Sequence, residues 1–159
     1  MPDSDVVMVN GTFDVLHIGH VRLLEYAKSL GRILVVAIDS DSRVRKLKGQ
    51  DRPINNHNDR AEMLLSLRYV DQVRVFGSDE ELEYLIKAIN PKILVIGSDW
   101  KGKRIVGEEY AKDDRLMVED ISQGSAIVID NDKILTCQHV VKHNKTFYTQ
   151  NKKIGRAHV

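Results

Sequence analysis

The sequence predicts an α/β protein built on a doubly wound parallel sheet. Short, β-branched, nearly continuous apolar runs alternate with segments whose apolar residues recur every three or four positions. Such runs are typical of strands that are covered on both faces, and the alternation implies right-handed strand–helix–strand crossovers. The length of 159 residues, with 42% hydrophobic and 30% charged residues, matches one soluble globular domain.

Four strands and three helices are predicted along the first two thirds of the chain. The strands cover residues 6–9, 33–38, 73–76 and 93–96, and the helices cover residues 18–30, 60–67 and 81–89. Ligands of doubly wound sheets bind beyond the carboxyl ends of the strands. We therefore expect a site in the loops that open at Asn10, Asp39, Phe76 and Gly97.

The pattern changes after about Leu116, which divides the chain into a domain of residues 1–118 and an atypical tail of residues 119–159. Residues 126–129 and 133–136 predict a β-hairpin, because a turn-rich segment separates two short apolar runs. Beyond Lys142 the residues are polar and aperiodic, so we expect poor order there.

Composition excludes several classes of protein. The longest apolar run has six residues, far fewer than the ~18 that a membrane span requires. A net charge of +1 gives no electrostatic case for nucleic acid or an anionic membrane as a partner. The single cysteine permits no internal disulfide, and acidic residues stand where a secretory signal needs basic ones, so we expect a cytoplasmic protein.

Residues 10–20, which read N-G-T-F-D-V-L-H-I-G-H, are the most informative segment. The first predicted strand runs into them, and the next helix begins inside them. His17 and His20 are three residues apart and share a face of the first helical turn. A helix N-terminus offers free amide groups and a positive dipole end, which predicts a phosphate site. Gly11 allows a sharp turn out of the strand, and Gly19 allows a phosphate or ribose to approach the backbone.

Two histidines at helical spacing also occur as half of a metal site or as a solvated pair. The glycine turn, the neighbouring Thr12 and Asp14, and the helix start favour the phosphate site. The spacing differs from the phosphate-binding loop of nucleoside triphosphatases and from the G-x-G-x-x-G of dinucleotide-binding folds.

The motif G-T-F-D-x-x-H-x-G-H resembles the signature of the cytidylyltransferase-like nucleotidyltransferases. That family includes glycerol-3-phosphate and ethanolamine-phosphate cytidylyltransferases and the heptose-phosphate adenylyltransferase domain. The likeness covers about residues 5–115 and continues through the blocks at residues 47–49, 52–55, 59–60, 68–71 and 97–103. It implies a Rossmann-like fold and attack by an acceptor phosphate on the α-phosphorus of a nucleoside triphosphate, with pyrophosphate leaving.

The resemblance also implies the roles of individual residues. His17, His20 and Lys48, the last in a Gly-containing loop after the second strand and helix, correspond to the catalytic groups, and Lys46 and Arg52 could share the task of Lys48. The nucleotide- and phosphate-binding positions are Gly11, Thr12, Phe13, Asp14, Gly19, Arg60, Arg68, Asp99 and Ser122. Arg68 could equally form a structural pair with Asp71. Mg²⁺ is expected with the triphosphate, although the sequence shows no dedicated carboxylate cage for it.

The markers of substrate choice conflict. Residues 52–55 look more like the heptose-phosphate adenylyltransferases, whereas residues 68–71 and 99–103 look more like the glycerol-phosphate cytidylyltransferases. CTP is narrowly favoured over ATP, with a small phosphorylated polyol, sugar or amino alcohol as acceptor. The sequence leaves a homodimer open.

The end of the chain departs from the family. Members close with an R-T-x-G-I-S-T-T segment, and of this only Ile121 and Ser122 are retained in residues 117–124. A nucleotide-binding protein without turnover is therefore a second hypothesis. Residues 124–141 weakly resemble the opening strands of trypsin-like serine endopeptidases, with His139 at the catalytic histidine, so a fragment of an endopeptidase fusion is a third. Residues 153–159 resemble a translated sequencing adapter, which predicts a chimeric tail.

Overall fold

A computed structural model describes residues 5–97 and 106–107, and the backbone of five strands between residues 116 and 156. The elements of the first part are, in chain order, β1 (Val6–Gly11), α1 (Ile18–Ser29), β2 (Ile33–Asp39), α2 (Asp41–Lys48), α3 (His57–Leu65), β3 (Gln72–Phe76), α4 (Asp79–Ile89) and β4 (Ile93–Gly97). The strands of the second part are β5 (Leu116–Ile121), β6 (Ser125–Asp130), β7 (Lys133–Gln138), β8 (Thr146–Thr149) and β9 (Lys152–Arg156).

The strands form one sheet in the order β3-β2-β1-β4-β5-β6-β7-β8-β9. The five strands from β3 to β5 are parallel, and β5 to β9 pair antiparallel. The chain moves outward from β1 through β2 to β3 and then returns to place β4 on the other side of β1. This reversal confirms the predicted doubly wound, Rossmann-like arrangement, and it opens a crevice beyond the carboxyl ends of β1 and β4.

Alternate residues of the central strands face two separate cores. Val7, Val9, Val36 and Ile38 pack against α1 and α3, on one face of the sheet. Met8, Ala37 and Leu94 pack on the other face against Leu82 and Ile86 of α4. The two-residue period of a strand therefore explains why these runs are apolar throughout: both faces are covered by helices.

Side-chain caps set the helix starts and account for the differences from the predicted bounds. Asn56 accepts a hydrogen bond from the Asp59 amide, and Ser78 accepts one from the Glu81 amide, so α3 and α4 begin before the first apolar residue of each periodic segment. Helix α2 lies outside the three predicted helices because only Val44 of its eight residues is buried.

The predicted hairpin after Leu116 is present as the antiparallel pair β6 and β7. Two further strands, β8 and β9, follow Lys142, where the sequence shows no periodic pattern. The division into two domains stays a prediction. None of the helices in the described residues combines the length and the apolar character needed to cross a bilayer.

Candidate functional site

The two histidines of the motif form a stacked pair at the start of α1. Their ring centroids are 3.8 Å apart, with an angle of 27° between the ring planes. His17 is the N-cap residue, and its Nδ1 accepts a hydrogen bond of 3.1 Å from the Gly19 amide. His20 occupies the third helical position, and its Nδ1 accepts a hydrogen bond of 3.3 Å from the His17 amide. The pair is therefore a capping box made of two imidazoles.

This arrangement determines which tautomer a neutral ring adopts. Because each Nδ1 accepts a backbone hydrogen bond, a neutral ring carries its proton on Nε2 and presents an N–H donor there. Burial lowers the pKa of His20 to about 4, and the charges of His17 and Lys48 act in the same direction. At neutral pH the His20 ring is thus uncharged, and its Nε2–H is a donor that a phosphate oxygen can accept.

Two glycines make room for the aromatic rings of the site. A Cβ at Gly19 would lie 2.8 Å from Cε1 of His17, so the missing side chain leaves space for the capping imidazole. A Cβ at Gly11 would lie 3.0 Å from Cε2 of Phe13. Phe13 itself has a φ of 50°, and its ring contacts His20 with a centroid distance of 5.2 Å. The chain therefore turns at Phe13, a strained position for a non-glycine residue, and the glycines accommodate side chains.

Lys48 is the last residue of α2 and is exposed. Its charge lowers the pKa of His20, which places the ammonium group within electrostatic range of the imidazole pair. The structure therefore brings His17 and His20 into contact, whereas Lys48, which ends α2 and does not lie in the loop that follows, acts on His20 through its charge.

Asp14 fastens the segment of residues 52–55 to the motif. Its carboxylate accepts hydrogen bonds from the amides of Ile54 at 2.8 Å and Asn55 at 2.9 Å, and it pairs with Nε of Arg52 at 3.2 Å. Asn55 also donates from its side chain to the Asp14 carbonyl oxygen. Burial acts to raise the pKa of Asp14, but the two amide hydrogen bonds and the arginine charges outweigh it and lower the pKa. Asp14 is thus an ionised carboxylate that holds the segment of residues 52–55 against the motif.

Arg60 lies beneath the site with no exposed surface. Its guanidinium donates to the carbonyl oxygens of Thr12, Asp39 and Asn55 and to the carboxylate of Asp41, at distances from 2.8 to 2.9 Å. A phosphate contact of the predicted kind would require it to leave these partners. Arg60 therefore connects the ends of β1 and β2 to the loop before α3, and it acts as a positioning residue in this conformation.

Thr12 has its hydroxyl engaged below the site. The Oγ1 atom donates to Asp39 at 2.9 Å, and the same carboxylate group accepts from Nε of Arg43 at 2.8 Å. Arg43 also pairs with Asp79 at 2.6 Å and lies over the ring of Phe76. The Thr12 proton is thus committed to Asp39, and the hydroxyl oxygen retains only its capacity to accept.

Arg68 lies apart from this network. Its guanidinium donates to the hydroxyl of Tyr69, which in turn donates to Glu25 on α1. The alternative pairing with Asp71 is wrong, because Asp71 pairs with Lys28 and accepts from the Leu34 amide. The predictions for Asp99 and Ser122 fall outside the described residues.

Sequence reasoning missed the buried acceptor Asp39, the partly exposed acceptor Asp41 and the tethering role of Asn55. Asp39 was noted only as the end of a strand, and a carboxylate at a strand end beside the motif was the available signal. Nothing in the sequence indicated that Asp41 would receive Arg60 and the His57 amide.

The described residues contain no group of three or more potential metal ligands. The two buried carboxylates nearest the motif, Asp14 and Asp39, are already bound by amides, arginines and a hydroxyl. These residues therefore do not fit a dedicated cation cage. Mg²⁺ commonly keeps its waters and binds through substrate phosphates, which needs no such cage.

A helix start that carries two imidazole donors at the switch point of a parallel sheet is typical of phosphate-binding α/β domains. A family model described as cytidylyltransferase-like matches residues 8–156. The chain belongs to the cytidylyltransferase-like family, and the predicted enzyme class, a nucleotidyltransferase, is confirmed.

The chain is also similar to individual proteins. It is 46% identical over 132 residues to the bifunctional protein HldE of a Nitratiruptor species, covering 83% of this chain and 28% of that protein. It is 50% identical over 113 residues to bifunctional protein HldE of Aliarcobacter butzleri, covering 70% of this chain and 23% of that protein. The chain thus spans about a quarter of the length of these curated relatives.

Solved structures show the same fold. The lipopolysaccharide core biosynthesis protein of Thermoplasma volcanium superposes with a TM-score of 0.56 and 30% identity, covering 68% of this chain and 84% of that one. Pantothenate synthetase of Thermus thermophilus superposes with a TM-score of 0.54 at 16% identity, covering 79% of this chain and 60% of that one. The second likeness concerns the fold alone.

Proposed function

We propose that the chain transfers a nucleotidyl group from a nucleoside triphosphate to a phosphorylated sugar and releases pyrophosphate. The observation that carries this proposal is the stacked pair His17 and His20 at the N-terminus of α1. It places two imidazole donors beside free helix amides at the switch point of the sheet, where an anionic phosphate is stabilised. The relatives described above support a sugar phosphate as the acceptor class, since one of them is a lipopolysaccharide core biosynthesis protein.

The geometry of the pair supports the following reaction. An oxygen of the acceptor phosphate attacks the α-phosphorus, a new P–O bond forms, and the bond to the pyrophosphate oxygen breaks with its electron pair on the leaving group. Negative charge on the α-phosphate oxygens is stabilised by the Nε2–H groups of His17 and His20. Lys48 neutralises charge on the phosphates nearby. No covalent intermediate on the protein is needed.

Mg²⁺ bound to the triphosphate would neutralise charge on the β- and γ-phosphates. The described residues contain no group of three or more potential ligands for it, and the steps assigned above belong to the imidazoles and to Lys48.

We propose ATP as the donor, in place of the CTP that the sequence narrowly favoured. The segment that resembles the heptose-phosphate adenylyltransferases, residues 52–55, is tied to Asp14 in the motif. By contrast, Asp71 of the cytidylyltransferase-like segment binds Lys28 and the Leu34 amide, near the amino end of β2. Leu34 pairs with Val7, four residues before the carboxyl end of β1, a separation of roughly 13 Å at the rise of a strand. Of the two markers that lie in the described residues, the adenylyltransferase one is thus nearer the reacting groups, and the cytidylyltransferase-like residues 99–103 lie outside those residues.

The test is a pyrophosphate-release assay of the full chain with ATP and CTP against sugar 1-phosphates, glycerol 3-phosphate and phosphoethanolamine. We expect turnover with ATP and a sugar phosphate, and a loss of ~10²-fold or more in the His20→Ala variant, the order seen when a transition-state donor is removed. Turnover with CTP alone would contradict the choice of donor. Full turnover in His20→Ala would contradict the role of the imidazole.

A nucleotide-binding protein without turnover is the second candidate, because residues 117–124 depart from the family's closing segment. Calorimetry with ATP and CTP separates the two candidates. Tight binding of a nucleotide with no pyrophosphate release across the acceptor panel would favour this second function.

A further inference from the structure

Arg52 is a cation next to the motif that keeps unused donors in the described residues. Its side chain is 42% exposed, although it is paired with the buried Asp14. The Nε atom is buried and makes no hydrogen bond, so its only contact with Asp14 is the charge interaction at 3.2 Å. Within the described part of the chain, no acceptor receives a hydrogen bond from the guanidinium. The guanidinium of Arg52 is therefore restrained by the charge of Asp14, but its N–H groups donate no hydrogen bond to the described residues.

Asp14 does not need Arg52 for its own stability. Its two carboxylate oxygens already accept from the amides of Ile54 and Asn55. The loop would therefore remain attached without the arginine. The attachment of the loop to Asp14 therefore depends mainly on these two amide hydrogen bonds, and the half-exposed arginine is free to serve another purpose.

The position of Arg52 supports a role for it in the reaction. Asp14 lies three residues before His17, so the guanidinium is anchored to the same loop that leads into the imidazole pair. A planar guanidinium with free terminal N–H groups matches two oxygens of a phosphate at once. Because the buried carboxylate restrains one side of the side chain, less rotational freedom is lost when an anion binds.

We propose that Arg52 binds a phosphate group of a substrate, with Asp14 as the anchor that orients its guanidinium. The proposal rests on the proposed phosphoryl chemistry of the site and adds a residue to it. The phosphate could belong to the acceptor or to the triphosphate, and the two sources differ in which Michaelis constant Arg52 controls.

The first experiment uses binding alone. Calorimetry of wild-type, Arg52→Gln and Arg52→Lys proteins with inorganic pyrophosphate and with inorganic phosphate measures the anion contact without turnover. We expect Arg52→Gln to weaken binding of at least one anion by ~10-fold or more, the size of a charge-assisted hydrogen bond, and Arg52→Lys to weaken it less. Arg32→Gln is the matched control, because Arg32 is 86% exposed and lies beside Asp5 at the amino end of β2.

Arg32→Gln should bind both anions within twofold of wild type. Equal losses in Arg32→Gln and Arg52→Gln would overturn the proposal, since they would indicate a general effect of net charge. Wild-type protein that binds neither anion would overturn it too. Thermal melting of Arg52→Gln should match that of Arg32→Gln, which confirms that the loop remains folded.

The second experiment identifies the source of the phosphate by steady-state kinetics. A rise of ~10-fold in KM for the acceptor alone assigns Arg52 to the acceptor, and a rise for the triphosphate alone assigns it to the donor. Unchanged KM values together with unchanged anion binding refute the proposal. If no substrate pair turns over but anion binding still depends on Arg52, the proposed function fails and the inference stands.

Discussion

His17 and His20 are the two halves of one capping box, because the Nδ1 of His20 accepts from the His17 amide while the Nδ1 of His17 accepts from the Gly19 amide. The rings consequently stack at 3.8 Å with both Nδ1 atoms engaged. The same hydrogen bonds that start α1 thus fix the tautomer of both imidazoles. Formation of the helix cap therefore also places the Nε2–H donors of both rings.

The variant His17→Asn keeps a helix cap but removes the imidazole donor. It therefore distinguishes the structural role of His17 from its role in catalysis. Asparagine is an effective N-cap and can accept from the Gly19 amide, but it has no group equivalent to Nε2–H in the same place. We expect an unfolding midpoint close to wild type with turnover reduced by ~10²-fold or more. His17→Ala should lose the cap as well, at a cost of about 1 kcal/mol. Urea denaturation and pyrophosphate release measure the two effects, and equal turnover in His17→Asn and wild type would contradict the donor role.

Stability should rise with pH between about 4 and 6.5 because of His20. The folded pKa of about 4 lies below the ordinary value of 6.5, so the unfolded chain binds more protons across this interval. The stability that the uncharged His20 ring gives the folded state is fully present above pH 6.5 and is lost as the pH falls toward 4. The lowered pKa values of Asp14 and Asp71 change the free energy of unfolding only below pH 3.8, which is the ordinary pKa of these carboxyl groups. Urea midpoints of wild type and His20→Gln measured from pH 4.5 to 7 test this, and an identical slope in both would refute it.

Gly19→Ala should impair turnover without unfolding the domain. The new Cβ would lie 2.8 Å from Cε1 and 2.9 Å from Nδ1 of His17, so the ring must leave its capping position. Alanine favours a helix by ~1 kcal/mol over glycine, which offsets part of the lost cap. We expect turnover to fall by ~10-fold or more, as a misplaced catalytic group implies. Gly77→Ala is the control, since its Cβ would meet nothing closer than 3.4 Å. A fully active Gly19→Ala enzyme would disprove the steric argument.

Arg60→Met should destabilise the domain by ~3–5 kcal/mol, because it removes the buried guanidinium that pairs with the partly exposed Asp41 and takes a donor from each of three carbonyl oxygens. Equilibrium denaturation in urea measures the loss. Arg74→Met is the control, since Arg74 is exposed and donates only to its neighbours Val73 and Gln72. The control should stay within ~0.5 kcal/mol of wild type. A similar result for both variants would show that the buried contacts contribute little.

Restoring the closing segment tests whether the tail limits the reaction. Residues 117–124 would be replaced by R-T-E-G-I-S-T-T followed by a short amphipathic helix. The register of Asp120 on Gly97 brings the end of β5 to the carboxyl edge of the sheet, where new hydroxyls can reach a phosphate. Each charge-assisted contact contributes ~1.5–3 kcal/mol, so turnover should rise tenfold or more. Pyrophosphate release from a repaired enzyme no faster than the original would show that residues 117–159 replace the segment functionally.

The parallel sheet and the motif were predictable because each depends on local pattern. Continuous apolar runs identified β1, β2, β3 and β4, and the histidine spacing identified the start of α1. Helix α2 was not predicted, because its residues D-S-R-V-R-K-L-K contain two apolar side chains and its start depends on the Ser40 cap.

The partners of the charged residues could not be predicted from one sequence. Arg60 reads as a solvated or phosphate-binding cation, and only the folded chain brings three carbonyl oxygens and Asp41 around it. The same is true of Asp14, whose partners lie 40 and 41 residues away. Long-range pairing of this kind leaves no periodic signal.

The burial of Arg60 also shapes the electrical potential that a ligand meets. Parallel strands end in carbonyl groups, and those of Thr12 and Asp39 direct their oxygens into the guanidinium. The negative ends of these peptide dipoles, together with the Asp41 carboxylate, are thereby compensated from inside the protein. A polyanion that binds at this edge of the sheet then lies near amide hydrogens and imidazole donors, and the carbonyl groups at the strand ends do not repel it. A residue buried beneath the site can in this way favour the binding of a polyphosphate above it.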